Sequence, residues 1–158
     1  MNQISLENRE LQHVKKFYQE SKDPHLQILF PFQKITLEQT IEQYENSLLP
    51  NATSFGKTIY VNNSYIGDVW CYGIDQVAKN CFLSIVIFNK NYWGKGIGAQ
   101  VLRDFIELIK DKYSLIKISA FTFKANICSS KMLKKVGFKC IEEFEEEGTK
   151  SLYFELKI

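Results

Sequence analysis

The chain divides into an N-terminal third with helical periodicity and a remainder in which apolar runs alternate with turn residues. Apolar residues recur at helical spacing in residues 7–20 and again in residues 37–48, the second segment behind Thr36 as an N-cap. Both segments are therefore predicted to be amphipathic helices. Residues 25–34 between them fit neither period around Pro31, and we expect a partly buried loop there.

From Phe55 onward, β-branched and aromatic runs separated by turn residues predict a three-stranded antiparallel meander. An amphipathic helix, a strand, a short helix ending at Gly137 and two closing strands follow. In chain order, the predicted segments are strands 55–61, 65–74 and 81–88, helix 98–113, strand 115–123, helix 129–137, and strands 138–144 and 151–158. With a short strand allowed at residues 2–6, the order is ααβββαβαββ, an α/β (α+β) fold in one domain spanning residues 1–158.

Composition excludes several classes of function. Of the 158 residues, 45% are hydrophobic and 24% are charged, and 20 basic residues nearly balance 18 acidic ones. A net charge of +2 gives no strong field for nucleic acid or an anionic membrane, and no apolar run approaches the ~20 residues that span a bilayer. We therefore expect no nucleic-acid and no membrane partner, and a cytoplasmic location because no secretory signal opens the chain.

The cysteines and histidines argue against a metal site and against a nucleophilic triad. The four cysteines are Cys71, Cys81, Cys128 and Cys140. They lack zinc-ligand spacing and are interpreted as buried free thiols. The only two histidines, His13 and His25, are expected at the surface or in loops, and they are too few for a Ser/His/Asp site. No metal is predicted.

The strongest chemical signal joins the third predicted strand to the long helix, in the segment LSIVIFNKNYWGKGIGAQVL. Gly94, Gly96 and Gly98 let the backbone turn tightly at a helix start and point N–H groups outward. Unpaired N–H groups and the positive end of the helix dipole favour an anion, and Lys95 adds a cation. The segment predicts a phosphate-binding site, with close packing of small residues at a helix start as the alternative.

Two common phosphate ligands do not fit this loop. The run G-x-x-x-x-G-K-[ST] of nucleotide triphosphatases is not present in the sequence. Gly94, Gly96 and Ala99 match the dinucleotide pattern G-x-G-x-x-[GA], but that pattern needs an acidic residue ~20 positions later to hold a ribose. The next predicted parallel strand ends instead in Phe123 and Lys124. A nicotinamide dinucleotide is therefore disfavoured.

The same residues resemble the GCN5-related N-acetyltransferase (GNAT) family, whose coenzyme A loop reads Q/R-x-x-G-x-G/A. Residues 93–98 stand in this frame, with Trp93 in place of Gln or Arg. This Y-W-G-K-G variant is similar to the branch around the ribosomal-protein N-terminal acetyltransferases. A second family motif, N-x-x-S/A followed by G-F, is present at residues 126–129 with Gly137 and Phe138. The resemblance covers nearly the whole chain.

The resemblance implies a mixed, mainly antiparallel sheet with one parallel, splayed strand pair and flanking helices. It also implies direct transfer of an acetyl group from acetyl-CoA, as co-substrate, to a primary amine. Free backbone groups at residues 86–88 would bind the pantetheine amides and the acetyl carbonyl, the glycines the diphosphate, and Asn126 the pantetheine arm. The implied coenzyme-binding residues are Val86, Ile87, Phe88, Trp93, Gly94, Lys95, Gly96, Ile97, Gly98, Ala99 and Asn126.

Proton transfer is where the sequence departs from the family pattern. Many relatives have a Glu five residues before the motif Asn and a Tyr seven residues after it, and here Phe121 and Leu133 stand at those positions. Ser129 matches a serine of the N-terminal acetyltransferase branch, and we nominate it as hydrogen-bond donor to the departing thiolate, with helix capping as its alternative role. A water relay is the leading hypothesis for the base. The remaining acidic candidates are Asp68, Asp75, Glu142, Glu143, Glu145, Glu146 and Glu147.

Two other interpretations stay open at this point. The missing Glu and Tyr allow a catalytically weak or inactive acyl-CoA-binding module, and a purely structural domain of the same fold would bind no coenzyme. The acceptor is not identified, and protein N-terminal α-amines, polyamines, amino sugars and drug amines all fit. Its contacts are expected from residues 29–32, Trp70 and Tyr72. Homodimers are common among such folds, and the sequence does not decide the oligomeric state.

Overall fold

The computed structural model describes residues 2–158 and contains one seven-stranded sheet. Its strands are β1 (Ile4–Asn8), β2 (Phe55–Val61), β3 (Ser64–Asp75), β4 (Asn80–Ile87), β5 (Lys117–Phe123), β6 (Lys139–Glu146) and β7 (Thr149–Lys157). Its helices are α1 (Leu11–Glu20), α2 (Pro24–Leu29), α3 (Leu37–Ser47), α4 (Ile97–Tyr113) and α5 (Ile127–Val136), with a 3₁₀ turn at Lys90–Tyr92. The order across the sheet is β1-β2-β3-β4-β5-β7-β6.

The sheet is antiparallel except at its centre, where β4 and β5 run parallel. Helix α4 makes the crossover that a parallel pair requires. Pairing between β4 and β5 runs from Asn80 opposite Lys117 to Leu83 opposite Ala120 and then stops, although both strands continue. The mixed sheet with one splayed parallel pair is therefore confirmed. We call the unpaired stretch, residues 84–87 of β4 and 121–123 of β5, the splay.

Apolar side chains of α4 and of the sheet form the core. The amphipathic pattern of α4 buries four side chains completely, namely those of Val101, Leu102, Phe105 and Ile109. Each contributes roughly 1.5–3 kcal/mol relative to an exposed position. On the opposite face of the sheet, Phe17 of α1 packs edge-on against Trp70 and Phe88, with ring centroids 5.8 and 6.2 Å apart. Residues 2–158 contain no helix with both the length and the apolar character to cross a bilayer.

Secondary structure in the N-terminal third differs from the sequence prediction at two places. Helix α1 begins at Leu11 rather than at residue 7, because residues 4–8 form an edge strand paired with β2. The predicted loop at 25–34 begins with helix α2, in which Pro24 occupies the first turn behind Asp23 as N-cap. Helix α3 begins directly after Thr36, as expected.

His13 and two of the cysteines also contradict the sequence predictions. His13 is only 5% exposed, because its Nδ1 accepts the Glu10 N–H at 2.9 Å and its Nε2 lies 2.7 Å from the Tyr60 hydroxyl. All four cysteines are free, but Cys128 and Cys140 are exposed. These two lie on the first turn of α5 and on the edge strand β6, where one side faces solvent.

A buried ion pair ties the start of α1 to β3. Asp68 is 3% exposed, and its Oδ2 lies 3.3 Å from Arg9 Nε without a linear hydrogen bond. The Tyr65 hydroxyl donates to Oδ1 at 2.6 Å. Burial raises the pKa of Asp68, while the Arg9 guanidinium and the Tyr65 hydroxyl favour the charged carboxylate. The start of α1 is therefore attached to β3 by a polar interaction, in addition to the aromatic contacts of Phe17.

We expect Asp68→Ala to lower the free energy of unfolding by about 3 kcal/mol, because Arg9 and the Tyr65 hydroxyl lose their buried partner. Urea unfolding measures the change. Glu20→Ala is the control, because it breaks the exposed Lys16–Glu20 pair and should cost less than about 1 kcal/mol. Equal losses in the two variants would contradict the buried anchor.

Candidate functional site

Backbone groups at the end of β4 are divided between β3 and the splay. The Phe88 N–H donates to the Ile66 carbonyl at 2.9 Å. A Cβ added at Gly67 of β3 would collide with the Val86 carbonyl oxygen, so Val86 also directs its polar groups toward β3. The prediction that the Phe88 amide is free is therefore wrong, and Val86 is committed to the same neighbour. The reason is that β3 continues alongside β4 for its whole length.

Ile85 and Ile87 are the residues of β4 whose backbone groups face the splay. They alternate with Val86, and N–H and C=O directions alternate along an antiparallel strand. The Ile87 carbonyl accepts a 2.8 Å hydrogen bond from the Trp93 indole, which leaves its N–H and both groups of Ile85 without a strand partner. Sequence reasoning missed Ile85, because the register of β4 with β3 decides which alternate residues face the splay.

Residues 94–99, which we call the glycine loop, contain a row of unpaired amides, of which those of residues 94–96 belong to exposed residues and those of Ile97 and Ala99 to buried ones. None of their N–H groups donates to another described residue. Gly94 and Gly96 have φ of +71° and +78°, a backbone conformation that favours glycine, and a Cβ added at either would meet nothing within 4 Å. The loop forms the N-terminus of the 17-residue helix α4, where unpaired N–H groups and the helix dipole favour an anion. Lys95 places its ammonium 5.7 Å from the Tyr92 ring centroid.

Gly98 is required for packing rather than for an unusual backbone conformation. A Cβ there would lie 2.5 Å from Met132 Sδ of α5, and 3.9 Å from Ile87 Cδ1. Helices α4 and α5 therefore approach closely only because this position has no side chain. The alternative interpretation of the glycines, as small residues at a helix start, applies to this third glycine.

Asn126 holds two elements together at the end of β5. It is 6% exposed, its Oδ1 accepts the Ser129 N–H at 3.2 Å, and its Nδ2 donates to the Leu29 carbonyl at 3.3 Å. The first contact caps α5 and the second holds the end of α2. Ser129 itself is half-buried. Its neighbour Ser130, which sequence reasoning missed, is 9% exposed and its hydroxyl has no partner among the described residues.

The acidic candidates are occupied elsewhere or lie in solvent. Asp75 accepts the N–H groups of Val77 and Ala78 in the turn after β3. Glu143 lies 2.7 Å from Lys124 Nζ, and that hydrogen bond holds the pKa of the exposed carboxyl below its usual value. The remaining glutamates of β6 and its turn are exposed. In the described part of the chain, no group of three or more His, Cys, Asp or Glu residues is placed to hold a metal.

Only part of the expected acceptor surface comes together. Phe17 contacts both Trp70 and Phe32, with ring centroids 5.8 and 6.2 Å apart. Tyr72 instead stacks on Phe82 at 5.5 Å, farther along the same face. Burial raises the pKa of Tyr72, which keeps its hydroxyl protonated.

A cavity of about 440 Å³ opens where β5 ends. It is lined by Ile28 of α2, by residues 123–125 and by residues 148–150 of the β6–β7 turn. The cavity adjoins the contact between Asn126 and Leu29 at the end of β5.

Comparisons with known proteins agree on one family. A family profile described as acetyltransferase (GNAT) domain matches residues 4–139. A probable spermine N(1)-acetyltransferase from Bacillus subtilis subsp. natto (strain BEST195) is 27% identical over 85 residues, 54% of this chain and 56% of that protein. The chain thus spans little more than half the length of this curated relative.

Two solved structures share the fold. One is the spermidine N-acetyltransferase from Vibrio cholerae in complex with CoA and spermine, at 14% identity and a TM-score of 0.84, covering 98% of this chain and 95% of that one. The other is RimL, the ribosomal L7/L12 α-N-protein acetyltransferase in complex with CoA, at 15% identity and a TM-score of 0.83, covering 98% and 94%.

We expect Gly98→Ala to lower the melting temperature, because the added methyl group meets Met132 Sδ. In Gly98→Ala/Met132→Ala the clash is relieved, so the double variant should be more stable than the sum of the two single effects predicts. Thermal unfolding of the four proteins measures this coupling. Strict additivity would show that the two side chains do not compete for the same space.

Proposed function

Because the chain belongs to the acetyltransferase (GNAT) family, we propose that it binds acetyl-CoA and transfers the acetyl group directly to a primary amine. The observation that carries this proposal is the row of unpaired amides at residues 94–99, next to a splay with free backbone groups. We extend the proposal to residues 1–158 as one N-acetyltransferase domain. One sheet running from Ile4 to Lys157 supports this extension.

The glycine loop fits the diphosphate of the coenzyme. Phosphate oxygens accept hydrogen bonds, and the loop supplies successive N–H donors at the positive end of α4. Gly94 and Gly96 leave open space where a side chain would obstruct an approaching anion. Lys95 adds a cation, and Trp93 contributes by fixing the Ile87 carbonyl rather than by touching phosphate.

Ile85 and Ile87 supply the hydrogen bonds in the splay. Acetyl-CoA supplies an activated thioester, and a pantetheine amide pairs with the free N–H of Ile87, the residue nearer the glycine loop, in this proposal. The Ile85 N–H, deeper in the splay, donates to the oxygen of the acetyl carbonyl as negative charge develops there. A single donor of this kind contributes about 10²–10³ in rate in other enzymes.

Proton transfer uses water and a hydroxyl group. The amine nitrogen forms the new bond to the acetyl carbon while the bond to sulfur breaks, and the amine proton passes to water. Ser129 or its neighbour Ser130, whose buried hydroxyl lacks a partner, donates a hydrogen bond to the departing thiolate. Phe121 and Leu133 take no part in proton transfer because neither side chain titrates.

The acceptor proposed here is a polyamine. The β6–β7 hairpin beside the cavity carries five glutamates between residues 142 and 147, and Lys124 is already paired with Glu143. The charged residues that line the cavity are Lys124 and Lys150, and the unpaired carboxylates of the adjoining hairpin favour an acceptor with a second ammonium group. The name of the Bacillus relative, a probable spermine N(1)-acetyltransferase, supports the same class.

Coenzyme binding is tested by calorimetric titration with acetyl-CoA. We expect the wild-type protein to bind acetyl-CoA and Gly96→Glu to lose this binding, because a bulky, negatively charged side chain then occupies the diphosphate position in the glycine loop. Asn63→Glu is the control, since Asn63 also has a positive φ, +67°, and is exposed in the β2–β3 turn away from the glycine loop and the cavity, and this variant should bind normally. A wild-type protein that does not bind acetyl-CoA would refute the proposed function. Free-thiol release with an amine panel then separates an enzyme from an inactive binding module.

The polyamine acceptor is tested by replacing three exposed glutamates, residues 145–147, with Gln. We expect KM for spermine to rise on the order of tenfold, from three surface interactions of about 0.5 kcal/mol each. KM for a monoamine should change little because a monoamine has no second charge. The control is the triple change of Glu38, Glu42 and Glu45 on α3, also exposed. Equal effects on both amines would exclude the hairpin as a polyamine subsite.

A further inference from the structure

Helix α2 is attached at its two ends to the two strands that separate at the splay. At its start, Lys90 Nζ lies 2.8 Å from Asp23 Oδ2, and Lys90 begins the turn that directly follows β4. At its end, the Leu29 carbonyl accepts from Asn126, which follows β5. The helix therefore lies across the open end of the splay and connects its two sides.

The length of α2 matches the width that a ligand between the strands requires. Six residues at ~1.5 Å per residue give a helix of ~9 Å. Paired strands lie ~4.8 Å apart, so one extended chain inserted between β4 and β5 separates them by ~10 Å. The pantetheine arm is such an extended chain with amides at its edges. The length of α2 is thus comparable with the strand separation that a filled splay requires.

A second contact links α2 to the same side of the splay. The His25 ring lies 5.7 Å from the Trp93 ring, and the Trp93 indole donates to the Ile87 carbonyl. Leu26 in the same helix is completely buried. Asp23 also caps the helix, because its Oδ1 accepts the His25 N–H at 2.8 Å. One carboxylate therefore both starts α2 and attaches it to the end of β4.

We propose that Asp23 and Lys90 are positioning residues for the pantetheine channel: their ion pair holds α2 as a crossbar that sets the distance between β4 and β5. This inference rests on the proposed function, because it assigns the channel to pantetheine. Neither residue belongs to the glycine loop, and both act through α2. The side chains of Lys90 and Asp23 are 41% and 34% exposed, and a pair at this exposure changes an equilibrium by at most about fivefold.

The experiment compares two ligands that differ only in the arm the crossbar is meant to fit. Acetyl-CoA has the pantetheine arm. Adenosine 3′-phosphate 5′-diphosphate, the nucleotide part of coenzyme A with its diphosphate, lacks the arm, and we call it the diphosphate. In Lys90→Gln we expect acetyl-CoA to bind about three- to fivefold more weakly by calorimetry, with unchanged affinity for the diphosphate. Asp23→Asn should behave alike, because Asn retains the N-cap but loses the ion pair. Lys90→Arg retains the cation and should restore binding.

A control variant and a second measurement distinguish the positioning role of the Asp23–Lys90 pair from a general loss of stability. Lys16→Gln breaks a comparable pair on α1, 2.9 Å long and similarly exposed, and should change neither affinity. Hydrogen exchange over residues 24–29, measured without ligand, should accelerate up to about fivefold in Lys90→Gln and not in Lys16→Gln.

Other results would overturn the positioning role of the Asp23–Lys90 pair or the proposed function. Equal weakening of both ligands in Lys90→Gln would mean that Lys90 binds phosphate directly, and the crossbar would be overturned. Unchanged affinity for acetyl-CoA, or unchanged exchange in α2, would also overturn it. If the wild-type protein binds neither ligand, the proposed function fails, while the exchange measurement still shows whether the ion pair holds α2.

Discussion

Hydrogen bonding between β4 and β5 ends at Leu83 and Ala120, and the rest of the site is arranged around the backbone groups left unpaired beyond that point. A buried N–H or C=O without a partner is unfavourable, so a sheet that opens at its centre must satisfy its strands in another way. The protein uses Trp93 for the Ile87 carbonyl and leaves the N–H groups facing the splay for a ligand. In the proposed function, an extended molecule with amides of its own binds there and completes the interrupted sheet.

The use of backbone groups also explains how the proposed site works without the acidic and phenolic residues of many relatives. Phe121 and Leu133 occupy those positions, and Asp68 is committed to Arg9. In the proposed mechanism, the chain contributes oriented hydrogen-bond donors instead. These are the N-terminus of α4 for the diphosphate, the amides of β4 for the acetyl carbonyl, and the hydroxyl groups at the start of α5 for the thiolate. Electrostatic stabilisation by oriented donors and the holding of two reactants together account for much of the catalysis in many enzymes. In the proposed mechanism, a water molecule accepts the amine proton.

Several structural predictions held because they depend on local chemistry. The cap at Thr36, the end of α5 at Gly137 and the tight turn of the glycine loop each follow from the conformational preferences of one or two residues. The buried stripe of α4 follows from a period sustained over many residues. Helix α2 was missed because six residues are too few to show a period, although Asp23 and Pro24 carried its start signal.

By itself, the sequence determined the order of most elements, the parallel strand pair with its crossover helix, the glycine loop and the family to which the chain belongs. Tertiary structure alone decided which amides of β4 are free, because that depends on its register with β3 rather than on the residues of β4. It also decided that His13 is buried, through a contact with Tyr60 from a strand 47 positions away, and that Asn126 reaches Leu29 across 97 positions. Interactions over such distances depend on how complete elements pack, and the spacing of residues along one segment carries no record of them.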